Sequence, residues 1–182
     1  MALSPADRFW AFSLALYGKP GVAPALLSLQ DALGLDVNML VLCCWAASRG
    51  RALTPADLAA VVAVAEPWQA EVVVPLRALR RRLKGGFPPL PPDRVEAYRK
   101  GFSDLEIEGE HIAQEAMERA MDSLPKSAPA RADAALTAAN LRAYLAHQQK
   151  EIGATESAAL KTILQGCFPD SPASEISAAL SA

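Results

Sequence analysis

Eight cations gather around one proline-rich corner of this sequence, Arg77, Arg80, Arg81, Arg82 and Lys84 before it and Arg94, Arg99 and Lys100 after it. Such side chains hold phosphates or carboxylates by charge, and guanidinium adds forked hydrogen bonding. The cluster therefore suits the phosphates of RNA or lipid, or an acidic protein surface. Cations closing a helix also complement its dipole and keep it hydrated. No aromatic side chain interleaves the arginines, as a stacking platform for single strands would require. Protein is the first expectation for a partner, with nucleic acid or anionic lipid as alternatives.

The remaining constellations are weaker. Glu108-x-x-His111 has the one-turn spacing of di-iron bundles, but such a site needs a second copy of the motif and further glutamates, and His147 has no Glu three residues before it. Asp36 and Asn38 flank the start of the most apolar helix, where a polar group could orient a small ligand in a pocket shared with Trp10, Tyr17 and Trp45. Capping explains Asp36 more simply. Cys43 and Cys44 are adjacent in an apolar helix and Cys167 lies near the end, which matches neither a disulfide framework nor a C-x-x-C metal site. No Ser/His/Asp or Cys/His set can be assembled and no glycine-rich phosphate loop follows a strand. No catalytic residue, metal or cofactor is expected, and the reading leans away from an enzyme.

Net charge is −2 and is unevenly divided: residues 1–100 hold twelve Lys/Arg and eight Asp/Glu, residues 101–182 six and twelve. The apolar content of 52% excludes disorder throughout, and the many alanines with no alternating Val/Ile runs point to an all-α protein. Three free cysteines and an N-terminus without a signal-peptide pattern predict a reducing cytoplasm.

The elements that must position these residues follow from periodicity and caps. Val37 to Ala47 is apolar on nearly every face, so this helix is enclosed by others, and it is well short of the ~20 residues that cross a bilayer. No transmembrane segment is expected. Ser4-Pro5-Ala6-Asp7 and Thr54-Pro55-Ala56-Asp57 are helix starts. Val22, Leu26, Leu29 and Leu33 form the stripe of a second helix that Gly34 ends. A fourth helix runs to about Ala65. Another runs from Pro67 to Lys84, bent at Pro75, with Trp68, Val72, Leu76, Leu79 and Leu83 on one face. Val95, Tyr98, Phe102, Leu105, Ile112 and Ala116 make a heptad-like seam that predicts antiparallel pairing with it. The domain plan is thus a compact helical domain over 4–124 containing a long antiparallel helical hairpin at 66–122, a linker at 125–133, and an Ala-rich helical tail at 134–182. The tail stripes are thin and predict loose docking.

Phe9-Trp10-x-Phe12-Ser13, Tyr17, Gly21-Val22, Leu29-Gln30-Asp31, Gly34, Asp36-Val37-Asn38 and Trp45, with Pro75-Leu76-Arg77 and Glu106-Ile107-Glu108-Gly109-Glu110 later, resemble a small bacterial all-helical family catalogued as a domain of unknown function. His111 stands where the resemblance implies Arg. It implies no activity and does not extend past Leu124. The expected function is a non-enzymatic helical interaction or adaptor protein contacting its partner through the basic hairpin tip, with homo-oligomers through the hairpin as a further option. The alternatives are a nucleic-acid or anionic-membrane module using Arg77 to Lys84, or a small enzyme or carrier with an apolar pocket around the central helix.

Overall fold

The computed structural model of the chain describes residues 7–125 and 128–181; the expected helix start at Ser4-Pro5 lies outside them. The fold is all-α, with no strand among the described residues. Its helices are α1 (Arg8–Tyr17), α2 (Val22–Leu33), α3 (Val37–Ser48), α4 (Pro55–Trp68), α5 (Val74–Leu83), α6 (Pro92–Ser123), α7 (Ala134–His147), α8 (Ala154–Cys167) and α9 (Ala173–Ser181). A π-helical turn, Gln69–Val73, joins α4 to α5 without a break.

Helix α3 is the centre. Every side chain from Val37 to Ala47 is buried, so neighbours must stand on all its sides. Asp36 starts it as expected: its Oδ1 accepts the Asn38 N–H at 2.8 Å. Helices α1, α2, α6 and α7 form the walls, and Phe9 of α1 packs on Trp45 with ring centroids 5.1 Å apart. Gly34 ends α2 at φ 69°, the left-handed position that favours glycine.

The loose docking expected of the C-terminal helices is corrected. Ala138, Leu141 and Tyr144 of α7 and Leu160, Ile163 and Leu164 of α8 are buried in the same core cluster as α3. Small residues let helix axes approach closely, so a thin stripe can be covered completely. A Cβ built on Gly166 of α8 would meet Val22 Cγ2 at 2.4 Å. Polar groups lock the same interface. Asn140 Oδ1 accepts the Leu53 N–H at 2.9 Å while its Nδ2 donates to the carbonyls of Cys43 and Arg51. The chain approaching α7 is pinned where Ala130 N–H donates to the Gly50 carbonyl at 2.7 Å.

Two readings of the hairpin are also corrected. Pro67 does not end α4, which continues to Trp68. Pro75 has no N–H for the Glu71 carbonyl, and the π turn just before it takes up the lost register without breaking the helix. The seam predicted for α6 is only partly inside: Val95 is buried and Phe102 and Ala116 are half-buried, but Tyr98 is 66%, Leu105 56% and Ile112 45% exposed, while Glu106, Gly109, Ala113 and Met117 are buried. The inner face is set by a small residue and by ions. Gly109 admits Val73 and Trp68, whose indole N–H donates to the Gly109 carbonyl at 2.9 Å. The continuous helix Pro55–Leu83 is long and apolar enough to cross a bilayer by length and composition, with 22% of its most apolar window buried against the rest of the fold.

Because α7 is a wall of the central helix, a chain ending at Leu124 is expected to lose its cooperative thermal transition, followed by far-ultraviolet circular dichroism. A cooperative melt within a few degrees of the full chain would show that the first six helices close the core alone.

Candidate functional site

The hairpin divides its cations into two groups. Arg77 sits inside, where Nε donates to Glu106 Oε1 at 2.7 Å, Nη2 to Glu110 Oε1 at 2.8 Å and Nη1 to Gln30 Oε1 at 2.6 Å. Arg80 Nε donates to the other Glu106 oxygen at 2.6 Å. Burial pushes the Glu106 carboxyl up, but the hydrogen bonds from Arg80 and Arg77 outweigh it and hold the group below the usual range. Glu110 goes the other way: burial, aided by the Glu106 charge, outweighs Arg77 and raises it. Arg99 is taken by Glu96 through two bonds of 2.6 Å, and Arg81 reaches exposed Asp31 at 3.2 Å. Arg82 lies over the Phe87 ring at 4.8 Å. Lys84, Arg94 and Lys100 make no ion pair among the described residues.

An apolar groove lies beside Arg94 and Arg82 of the outward group. Leu83, Phe87, Leu90, Pro91, Val95 and Tyr98 line a volume of about 590 Å³ with Arg94 at its edge. Phe87 is 43% and Leu90 53% exposed. Apolar floor and cationic rim together suit a partner that offers both hydrophobic side chains and carboxylates.

Of the five residues suggested for an apolar pocket, Asp36 lines a cavity beside α4 and α7, and each of the five makes contacts of its own. Trp45 is packed against Phe9 and under Arg49. Asn38 Oδ1 accepts from Gln114 Nε2 at 2.7 Å, and the same amide nitrogen donates to Ser13. Trp10 stacks on His111 at 4.5 Å. Tyr17 lies near Glu110, Arg77 and Asp36, and burial raises its hydroxyl above the ordinary range. Asp36 keeps some exposure as a residue, but its carboxyl is enclosed; burial pushes it up to about 6 against the pull of the Asn38 N–H and Arg77.

Glu108 is exposed and does not join His111. Instead Asp7, His111 and Glu115 each bring one atom within 4.8 Å of the others, a set that could hold a cation. His111 Nε2 lies 3.5 Å from Asp7 and 3.9 Å from Glu115. Cys43 is fully buried, which pushes its thiol up. For Cys44, contact with the Cys167 thiol and burial do the same. Both are poor nucleophiles in this setting. Several polar residues escape sequence reasoning. Buried Glu118 of α6 accepts the Phe9 N–H at 2.9 Å and Arg8 at 2.7 Å, anchoring the start of α1. Gln114, Asn140 and Tyr144 likewise act across more than 70 residues, and nothing local marks them.

The model of a family described as "Protein of unknown function (DUF2390)" matches residues 8–117, and the chain belongs to that family. No curated protein and no solved structure matches the chain.

Removing one partner of a buried ion pair costs about 3–5 kcal/mol, whereas exposed substitutions stay within about 0.5 kcal/mol. Arg77→Gln is therefore expected to lower unfolding free energy by about 3 kcal/mol in urea titrations, and Arg82→Gln to leave it unchanged. Asp36 gives a pH signature. The folded chain holds this proton to about pH 6 while the unfolded chain releases it near 3.8. The folded state thus binds more protons in that window, and the stability so gained is lost as pH rises through it. Asp36→Asn keeps the cap and should flatten this part of the pH–stability profile. Asp36→Ala should lose about 1 kcal/mol of capping at pH 4.

Proposed function

We propose that this DUF2390 protein is a non-enzymatic helical interaction protein whose hairpin tip takes an acidic, amphipathic segment of a protein partner. The observation that carries the reading is the exposed apolar groove of Leu83, Phe87, Leu90, Val95 and Tyr98 beside cations that the fold does not neutralise. Charge complementarity selects the partner's sign, and the apolar floor selects a protein segment over a bare polyanion. Arg77 and Arg80, directed inward to Glu106, hold the hairpin closed instead of contacting the partner. A reducing cytoplasm remains the expected location.

The groove is testable with designed helical peptides carrying leucine on one face and either glutamate or lysine on the other, followed by fluorescence anisotropy. The acidic peptide should bind and the basic one should not. Leu90→Ser and the triple change Arg82→Gln, Lys84→Gln, Arg94→Gln should each weaken it at least tenfold with unchanged melting, since all four side chains are exposed. Affinity should fall only modestly with salt. Tighter binding of single-stranded RNA or phosphatidylglycerol vesicles, with a log–log salt slope that drops by two to three in the triple variant, would replace the protein partner with a polyanion.

A further inference from the structure

We propose that a second, separate site binds a small organic cation, a primary ammonium or guanidinium group, between the start of α3, the α4–π junction and α7. The pocket there has a volume of about 190 Å³, room for roughly six water molecules at about 30 Å³ each. Its floor is buried and apolar, with Met39 1% and Ala65 2% exposed. Its polar groups are Asp36, Glu66, Gln69, Tyr144 and Gln148, and no lysine or arginine lines it.

Three features select a cation. Two acidic residues, Asp36 and the exposed Glu66, line the pocket, and no countercharge lines it. Arg77, the cation that acts on Asp36 from outside, is already bonded to Glu106, Glu110 and Gln30. The Gln69 side-chain oxygen is buried with no hydrogen-bond partner among the described residues, and a buried acceptor left empty costs about 1–3 kcal/mol. Gln69 lines the pocket, and a donor there that reached this oxygen would remove that cost. The third feature is Tyr144, itself 1% exposed. Its hydroxyl oxygen takes the Asp36 backbone N–H at 3.2 Å, which fixes an oxygen beside the carboxylate. An ammonium or guanidinium group has several donors and no acceptor, matching a wall of carboxylate, amide and phenol oxygens. An anion would meet two like charges, and a neutral alcohol would bring neither carboxylate a countercharge. The site shares no residue with the hairpin groove and does not depend on that reading.

The test uses ethanolamine, putrescine and guanidinium as probes at pH 7.5, with propanol and propionate as controls, monitored by amide chemical shifts and calorimetry on the full chain. At least one cation should bind saturably, with shifts centred on Gly34, Asp36, Gln69 and Tyr144, and neither control should. Asp36→Asn, which keeps the helix cap, and Gln69→Leu, which removes the buried oxygen, should each weaken binding at least tenfold. Either variant suffices if the other fails to fold. Absence of saturable binding, equal response to propanol, shifts centred on the exposed acidic face of α6, or undiminished binding in both variants would overturn the proposal and leave a pocket filled by water.

Discussion

Eleven consecutive side chains of α3, Val37 to Ala47, are buried, and such a helix can exist in water only if protein surrounds it. Each side needs a wall, and the walls come from distant parts of the chain: α1 and α2 before it, α6 and α7 after it. This requirement explains the composition of the C-terminal helices. Ala134, Ala138 and Thr137 on α7 are small enough to bring its axis close to α3, and Tyr144 fills the wider space toward the α3 N-terminus. The enclosing helices also carry a cost. Polar groups trapped at the walls call for partners there: Gln114 Nε2 bonds to Asn38 and Ser13 and Asn140 to backbone groups, while the Gln114 side-chain oxygen is buried with no partner among the described residues.

The hairpin obeys a different balance. Its inner face is closed by Arg77 and Arg80 on Glu106 and by the approach of Trp68 to Gly109, not by an apolar seam. Ionic closure has two consequences. It turns Tyr98, Leu105 and Ile112 toward solvent, and it withdraws two of the cations that the chain would otherwise present. What reaches the surface is an apolar groove with a cationic edge, a different recognition surface from a bare arginine cluster.

The matched family segment, 8–117, ends inside α6, yet the core does not. Asp36 lies within that segment and Tyr144 beyond it, and the hydrogen bond between them joins the two. The pocket at this junction is built from both parts of the chain. The hairpin groove, by contrast, lies entirely within the family segment.

Local chemistry made much of the fold legible in the residues. The helix cap at Asp36, the capping box of Thr54 and Asp57, the left-handed stop at Gly34 and the all-round apolarity of Val37–Ala47 are short-range or single-element properties, and the structure keeps each of them. The clustering of cations at the hairpin corner was likewise visible. Their pairing was not. On α6 the apolar seam read from the sequence includes Tyr98, Leu105 and Ile112, whereas the structure also buries a second face, Glu106–Gly109–Ala113–Met117. The second is buried because Arg77 and Arg80 neutralise Glu106 and because Gly109 has no side chain to hold α5 away. The thin stripes of α7 and α8 understated their burial for a related reason, since the area a small residue loses to solvent depends on how closely its neighbour can come. Whether a charge is available, which of two faces is inside and how near two helices lie are relations between segments more than 25 residues apart, and these form only when the walls close around α3.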